Sequence, residues 1–230
     1  MESLVERENT IFNILEKFND RDLDFILIGG YAVSAFSHRF SVDADIVIRE
    51  EDREKFEEIL EDKDFEEVQK KRIESLYKGM FLSYEKKEEL SVNVDLLINS
   101  VKCRQTEASW SYDYLDKHSI QTEVEGSKRS IEVKIPDKEL LMALKIHSSR
   151  LTDARDVVAL SEDIDLNKID KHLHRGNESE LKDSVDKIIE IIGSERFKNS
   201  YKGVFSEKKL PEENIEKLKK FLANMLENKF

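Results

Sequence analysis

The 230-residue chain has little of what makes covalent scaffolds or flexible joints. Cys103 is the only cysteine, so no disulfide can form within the chain and no thiolate cluster can hold zinc. Two prolines and seven glycines, set against 38% charged residues of mixed sign, leave no composition for long linkers. No apolar run approaches the roughly 20 residues that cross a bilayer. The opening MESLVERENT has neither the basic start nor the apolar stretch of a secretory signal, so a cytoplasmic protein with no membrane partner is expected. Positive charge is also short: the net charge is −12, which argues against a surface that grips nucleic acid everywhere. The shortfall is uneven, because residues 136–230 carry 18 Lys and Arg against 19 Asp and Glu, leaving −11 to residues 1–135.

What is present divides in the same place. LVERENTIFNILEKF spaces its apolar residues as a helix does, DFILI reads as a buried strand ending at Gly29-Gly30, and YAVSAF suits a short helix. DADIVI is a second strand and EEDREKFEEILED a charged helix. MFLSYE and LSVNVDLLI form a hairpin across KKEE, and SIQTEVEG and RSIEVKI a second one across Gly126-Ser127. After Pro136 strand patterns give way to helices, the last with an apolar stripe of Ile215, Leu218, Phe221, Leu222, Met225 and Leu226 that reads as core packing. The expectation is an α+β chain: residues 1–135 a core with a small mixed sheet flanked by helices, residues 136–230 a helical lobe.

Two aspartates interrupt the strand pattern at Asp43 and Asp45. Side chains alternate across a strand, so both stand on one face while Ala44, Ile46 and Ile48 take the other. Ionised carboxylates held this close repel unless a cation or proton lies between them. Alone, an Asp-x-Asp in a chain with 50 acidic residues is more often an acidic strand face. Asp95 in SVNVDLLI adds a third carboxylate from a separate strand, and oxygen ligands in that number suit magnesium or manganese. Gly29 and Gly30 make a strand-to-helix turn without Cβ atoms, open to a triphosphate at its backbone N–H groups and the helix N-terminus, although such a pair is more often a plain tight turn.

Taken together, Ile28-Gly29-Gly30, twelve intervening residues, Asp43-Ala44-Asp45 and the later Asp95 resemble the signature of the nucleotidyltransferase superfamily that includes DNA polymerase β. HRFSVDADIVI looks like the Arg-x-Thr/Ser-x-Asp-x-Asp form of small prokaryotic members related to the toxins of type IV abortive-infection toxin–antitoxin systems, with Arg39 and Ser41 in the first two places. LLMALKIHSSRLTDARDVVAL is similar to the same group's Leu-x-x-x-Lys helix followed by Arg/Lys-Asp, here Lys145, Arg155 and Asp156. A second aspartate that members often carry three residues later is replaced by Ala159. The resemblance covers roughly residues 24–160.

The resemblance implies a metal-dependent enzyme that moves a nucleoside monophosphate from an NTP to an acceptor. Asp43, Asp45 and Asp95 would bind two ions, with Asp95 also the base; Gly29, Gly30, Arg39, Ser41, Lys145 and Asp156 would hold the nucleotide. The acceptors it implies are a tRNA or other RNA end, a small molecule or a protein, and an antitoxin is an implied partner. For RNA, the basic stretches KIDKHLHR, FKNSYKG and KKL are the expected surface. The competing expectation is an inactive nucleotide-sensing or partner-binding module of the same fold. Lys145 could equally snorkel, Tyr31 could stack on a base or pack, and His147, His172 and His174 read as packing or surface residues.

Overall fold

Residues 2–73, 77, 79–205 and 210–229 are described by the computed structural model, with side chains through Glu227. The chain divides into two units, Met1–Val101 with Trp110–Pro136 and Lys102–Ser109 with Asp137–Phe230. In order, the first unit contains α1 (Glu2–Asp20), β1 (Ile26–Ile28), α2 (Gly29–Ser34), β2 (Asp43–Ile48), a 3-10 turn at Glu50–Asp52, α3 (Arg53–Asp62), β3 (Glu66–Arg72), β4 (Met80–Lys86) and β5 (Val92–Ile98). The ribbon of β6 (Ser100–Lys102) and β7 (Ser109–Ser111), α4 (Tyr112–Lys117) and the hairpin of β8 (Ser119–Glu125) and β9 (Ser130–Pro136) follow.

Five strands form one sheet in the order β1-β2-β5-β4-β3. Only β2 and β5 run parallel, and the chain between them crosses over through α3, β3 and β4. The two parallel strands read as near-continuous apolar runs on one face: Ala44, Ile46 and Ile48 of β2 and Val94, Leu96 and Ile98 of β5 are fully buried. Helix α1 turns Ile11, Phe12, Ile14, Leu15 and Phe18 inward. Phe18 meets Phe56 of α3 edge-on at 4.7 Å and Phe25 at 5.7 Å, a geometry that aromatic quadrupoles favour. Truncating Phe18 would remove about 3–5 kcal/mol. With that face filled, the polar residues of β2 and β5 are left on the other.

The second unit consists of α5 (Lys138–Ser148), α6 (Leu151–Ala159), α7 (Leu166–Leu173), α8 (Glu178–Gly193), α9 (Glu195–Phe205) and α10 (Glu212–Lys229). Asp137 caps α5 by accepting from Leu140 N at 2.9 Å, and Ser149 ends it in the left-handed region at φ 46°. The α10 stripe buries Ile215, Leu218, Leu222 and Met225 and leaves Phe221 and Leu226 half-buried.

His147 of α5 is fully buried and fastens the 102–109 loop into this unit. Its Nε2 lies 2.9 Å from Leu173 O, which can only accept, so Nε2 carries the hydrogen and Nδ1 accepts from the Thr106 hydroxyl at 2.7 Å. Burial, opposed by the Leu173 carbonyl and helped by Arg175 and His174, pushes this imidazole down to about 4. A histidine with a depressed folded pKa adds stability that is complete above its unfolded value near 6.5 and disappears as pH falls through about 4. The wild-type protein should therefore lose up to roughly 3 kcal/mol between those limits, a slope that His147→Gln flattens in unfolding titrations at stepped pH.

Candidate functional site

Register places the carboxylates. Asp45 of β2 is directly beside Asp95 of β5, and Asp43 directly beside Asn93. On its other side Asp45 pairs with Ile28, the last residue of β1, so the chain turns at Gly29 next to the Asp45 side chain. One oxygen from each of Asp43, Asp45 and Asp95 lies within 4.8 Å of the others, and all three residues are partly exposed. Separate stretches of backbone thus converge on a single cluster of hard oxygen donors, with the spacing a divalent cation bridges.

The glycines are fixed by what stands against them. Gly29 has φ 69°, and a Cβ there would overlap Oδ2 of Asp45. A Cβ on Gly30 would overlap Ser41 Oγ and lie 2.8 Å from Nη2 of Arg39. The Gly-Gly pair is therefore the surface on which Asp45, Ser41 and Arg39 rest. Helix α2 is only six residues long, so what the turn offers is bare backbone rather than a developed helix dipole. The loop after α2 is tied down locally: Ser34 Oγ donates to Arg39 O at 2.8 Å, and Arg39 Nη1 donates to Phe40 O at 3.2 Å. Tyr31 is a packing residue, buried edge-on against Phe12 with its hydroxyl donating to Ser41 O at 3.4 Å.

Ser83 of β4, the neighbour of Asp95 on the side away from β2, donates its hydroxyl to Asp95 Oδ1 at 2.6 Å. Nothing in FLSYE marks this serine; its role follows from β4–β5 register alone. Burial pushes the Asp95 carboxyl above its ordinary value, the Ser83 hydroxyl pulls it back and the charge of Asp43 adds to the rise. A carboxyl so placed is relieved by either a proton or a cation.

The Lys145 side chain is 8% exposed, and its ammonium lies 2.8 Å from Asp156 Oδ2 and 3.5 Å from Asp153 Oδ1, both on α6 of its own unit. Asp153, which sequence reasoning passed over, also accepts from Arg150 Nε at 2.7 Å and from the Arg150 backbone N at 3.0 Å. Burial alone would raise the Asp153 carboxyl, but Arg150 and Lys145 bring it below the usual range. Arg155 bonds instead to Ser200 Oγ at 2.9 Å. His172 is buried, and His174 pairs with Asp170 at 3.1 Å.

No family model matches the chain, and no curated protein does. Solved structures do. A candidate nucleotidyltransferase from H. pylori aligns over 99% of this chain and 96% of its own, with TM-score 0.53 and 13% identity. The lincosamide antibiotic adenylyltransferase LnuA, lincomycin-bound, aligns over 68% of this chain and 98% of its own, at TM-score 0.44 and 21% identity. ANT(2")-Ia in complex with adenylyl-2"-tobramycin aligns over 75% and 95%, at TM-score 0.48 and 13% identity. The chain has the α+β nucleotidyltransferase fold, with its small mixed sheet and helical second unit. Among the described residues no helix is long and apolar enough to cross a membrane.

Proposed function

We propose that the protein is a nucleotidyltransferase that moves a nucleoside monophosphate from an NTP to an acceptor. The observation that carries this is the convergence of Asp43, Asp45 and Asp95 within 4.8 Å beside a glycine turn, on a sheet of the matching fold. Three carboxylates and no sulfur or imidazole fit magnesium or manganese. A divalent cation bound there supplies positive charge to the phosphate oxygens and acidifies an attacking hydroxyl.

The chain's own groups do the rest. Asp43 and Asp45 hold the cations, and Asp95 joins them while taking the proton of the acceptor hydroxyl. That oxygen bonds to the α-phosphorus as the bond to the β-phosphate oxygen breaks and pyrophosphate leaves. The backbone at Gly29 and Gly30, with Ser41 and Arg39, holds the triphosphate. On the sequence resemblance alone, Lys145 would add charge to the phosphates, and Asp156, 2.8 Å from its ammonium, would orient it. Gly29→Ala should destabilise the protein by about 1–2 kcal/mol through its left-handed backbone. It should also push the Asp45 carboxylate aside, so that Mn²⁺ binding weakens beyond what the loss of stability explains.

The −11 carried by residues 1–135 favours a cationic or neutral acceptor over an RNA end, whose phosphates would meet that charge. The toxin-like role, a tRNA acceptor and an antitoxin partner rest on the sequence resemblance. Of the basic stretches that would serve RNA, Lys208 and Lys209 lie outside the described residues. The deciding experiment incubates the protein and Mg²⁺ with each α-labelled NTP, alone and with total RNA, an amine-bearing sugar or a protein lysate. Label on any acceptor, lost in Asp45→Asn, supports the proposal. Nucleotide binding that ignores Asp45→Asn, with no label transferred, supports an inactive sensing module instead.

A further inference from the structure

The face that carries the three carboxylates holds a fourth oxygen. Asn93 pairs with Asp43 across the parallel β2–β5 ladder and precedes Asp95 by two residues, so strand alternation puts its side chain on the same face. Burial along β5 follows that alternation, with Asn93, Asp95 and Leu97 less buried than Val92, Val94, Leu96 and Ile98. Oδ1 of Asn93 is nevertheless shut off from solvent and has no hydrogen-bond partner among the described residues.

Its surroundings explain why no protein group satisfies it. The strand neighbours are Asp43 on β2 and Glu85 on β4, and ionised carboxylates only accept. The nearby Ser83 hydroxyl is committed to Asp95 Oδ1. An amide nitrogen between two carboxylates has partners to give to, whereas the amide oxygen has none to take from. Leucine would fill the same space without stranding an acceptor, so an asparagine here implies a partner that arrives from outside. That partner must seek an oxygen acceptor, and beside three converging carboxylates a divalent cation does.

We propose that Asn93 Oδ1 is a fourth oxygen ligand of the cation site formed by Asp43, Asp45 and Asp95, on its Asp43 side. This rests on the metal-binding part of the function proposed above. The amide adds a ligand without adding charge, which suits a cluster already carrying three carboxylates and a fourth, Glu85, next to it.

The test uses the full-length protein without nucleotide. Mn²⁺ affinity is followed by electron paramagnetic resonance, and thermal unfolding is measured in excess chelator. Asn93→Leu should weaken Mn²⁺ binding roughly tenfold or more while leaving the chelated protein as stable as wild type or more so. Asn93→Asp should shift both the other way, with tighter Mn²⁺ binding and a less stable chelated protein. The Asn93→Leu arm decides, because the charge added in Asn93→Asp would draw Mn²⁺ whether or not the amide is a ligand. Mn²⁺ affinity unchanged in Asn93→Leu overturns the inference and leaves the carboxylate site standing; wild-type protein that binds no Mn²⁺ overturns both.

Discussion

Asp95→Asn should lower nucleotidyl transfer about a thousandfold and, in the same protein, raise the unfolding temperature measured at pH 7 without divalent ions. The activity loss follows from the proposed role of Asp95 in taking the hydroxyl proton, an effect typically of 10²–10⁴ in rate. The gain in stability follows from the direction of the Asp95 shift. Its carboxyl is raised by burial first, with Ser83 opposing and Asp43 adding. An acid whose folded pKa exceeds its unfolded value of about 3.8 supports the fold below that value and loses the support as pH rises through the folded pKa. Wild type therefore carries a penalty at pH 7 that asparagine, always neutral and still able to accept from Ser83, does not. The two proteins should converge in stability as pH falls below about 4, and added Mg²⁺ should restore the wild type more than the variant. Calorimetry at pH 3 and 7, with and without Mg²⁺, checks all of this. A variant less stable than wild type at pH 7 without metal would mean that Asp95 is a structural carboxylate.

Lys145→Met should unfold or severely weaken the helical unit. It takes away the ammonium that Asp153 and Asp156 share, and their side chains are 0% and 2% exposed. Breaking a buried ion pair by deleting one partner removes roughly 3–5 kcal/mol, enough to consume much of a domain's margin. A dead Lys145→Met enzyme would thus say nothing about phosphate binding. Adding Asp156→Asn to Lys145→Met removes the buried charge that lost its ammonium and leaves Asp153 its Arg150 partner, so the double variant should recover most of the lost stability. Denaturant titrations of the single and double variants form a cycle that measures the coupling. If Lys145→Met alone is as stable as wild type, the Lys145–Asp153–Asp156 cluster does not hold in solution. Activity in the stable double variant then reports what Lys145 and Asp156 contribute to transfer together.

How much of this was legible in the sequence differs by element. β1, β2, β4, β5 and β9 announce themselves by apolar runs or alternation bounded by charged or glycine turns, because each buries at least one face, and β8, with only Val124 buried, is legible from its alternation and the glycine turn that follows it. β3 does not: its seven residues, EEVQKKR, are all exposed, so no periodicity marks a strand held only by its ladder to β4. The six-residue α4 and the three-residue β6 and β7 are too short to show a period. α9 has its inward residues at Phe197, Tyr201 and Phe205, four apart on a charged background that mutes the helical stripe.

The cluster of Asp43, Asp45 and Asp95 was legible because alternation fixes sides and two apolar strands in one small core tend to become neighbours. What stayed hidden is whatever depends on register between strands. Ser83 opposite Asp95 and Asn93 opposite Asp43 become visible only once β4, β5 and β2 are aligned. Asp153 was passed over for a related reason: a charge at a buried helix position reads as surface until Lys145 is seen against it from another helix.

The central claim is that carboxylates from β2 and β5 hold cations against the phosphates of a nucleotide. Crystals grown with Mn²⁺ and a non-hydrolysable NTP, measured at a wavelength where manganese scatters anomalously, test it most directly. The account predicts anomalous peaks ligated by Asp43, Asp45 and Asp95, with the triphosphate along the Gly29-Gly30 turn. Nucleotide bound elsewhere, or manganese absent from those three carboxylates while the nucleotide is in place, would contradict it.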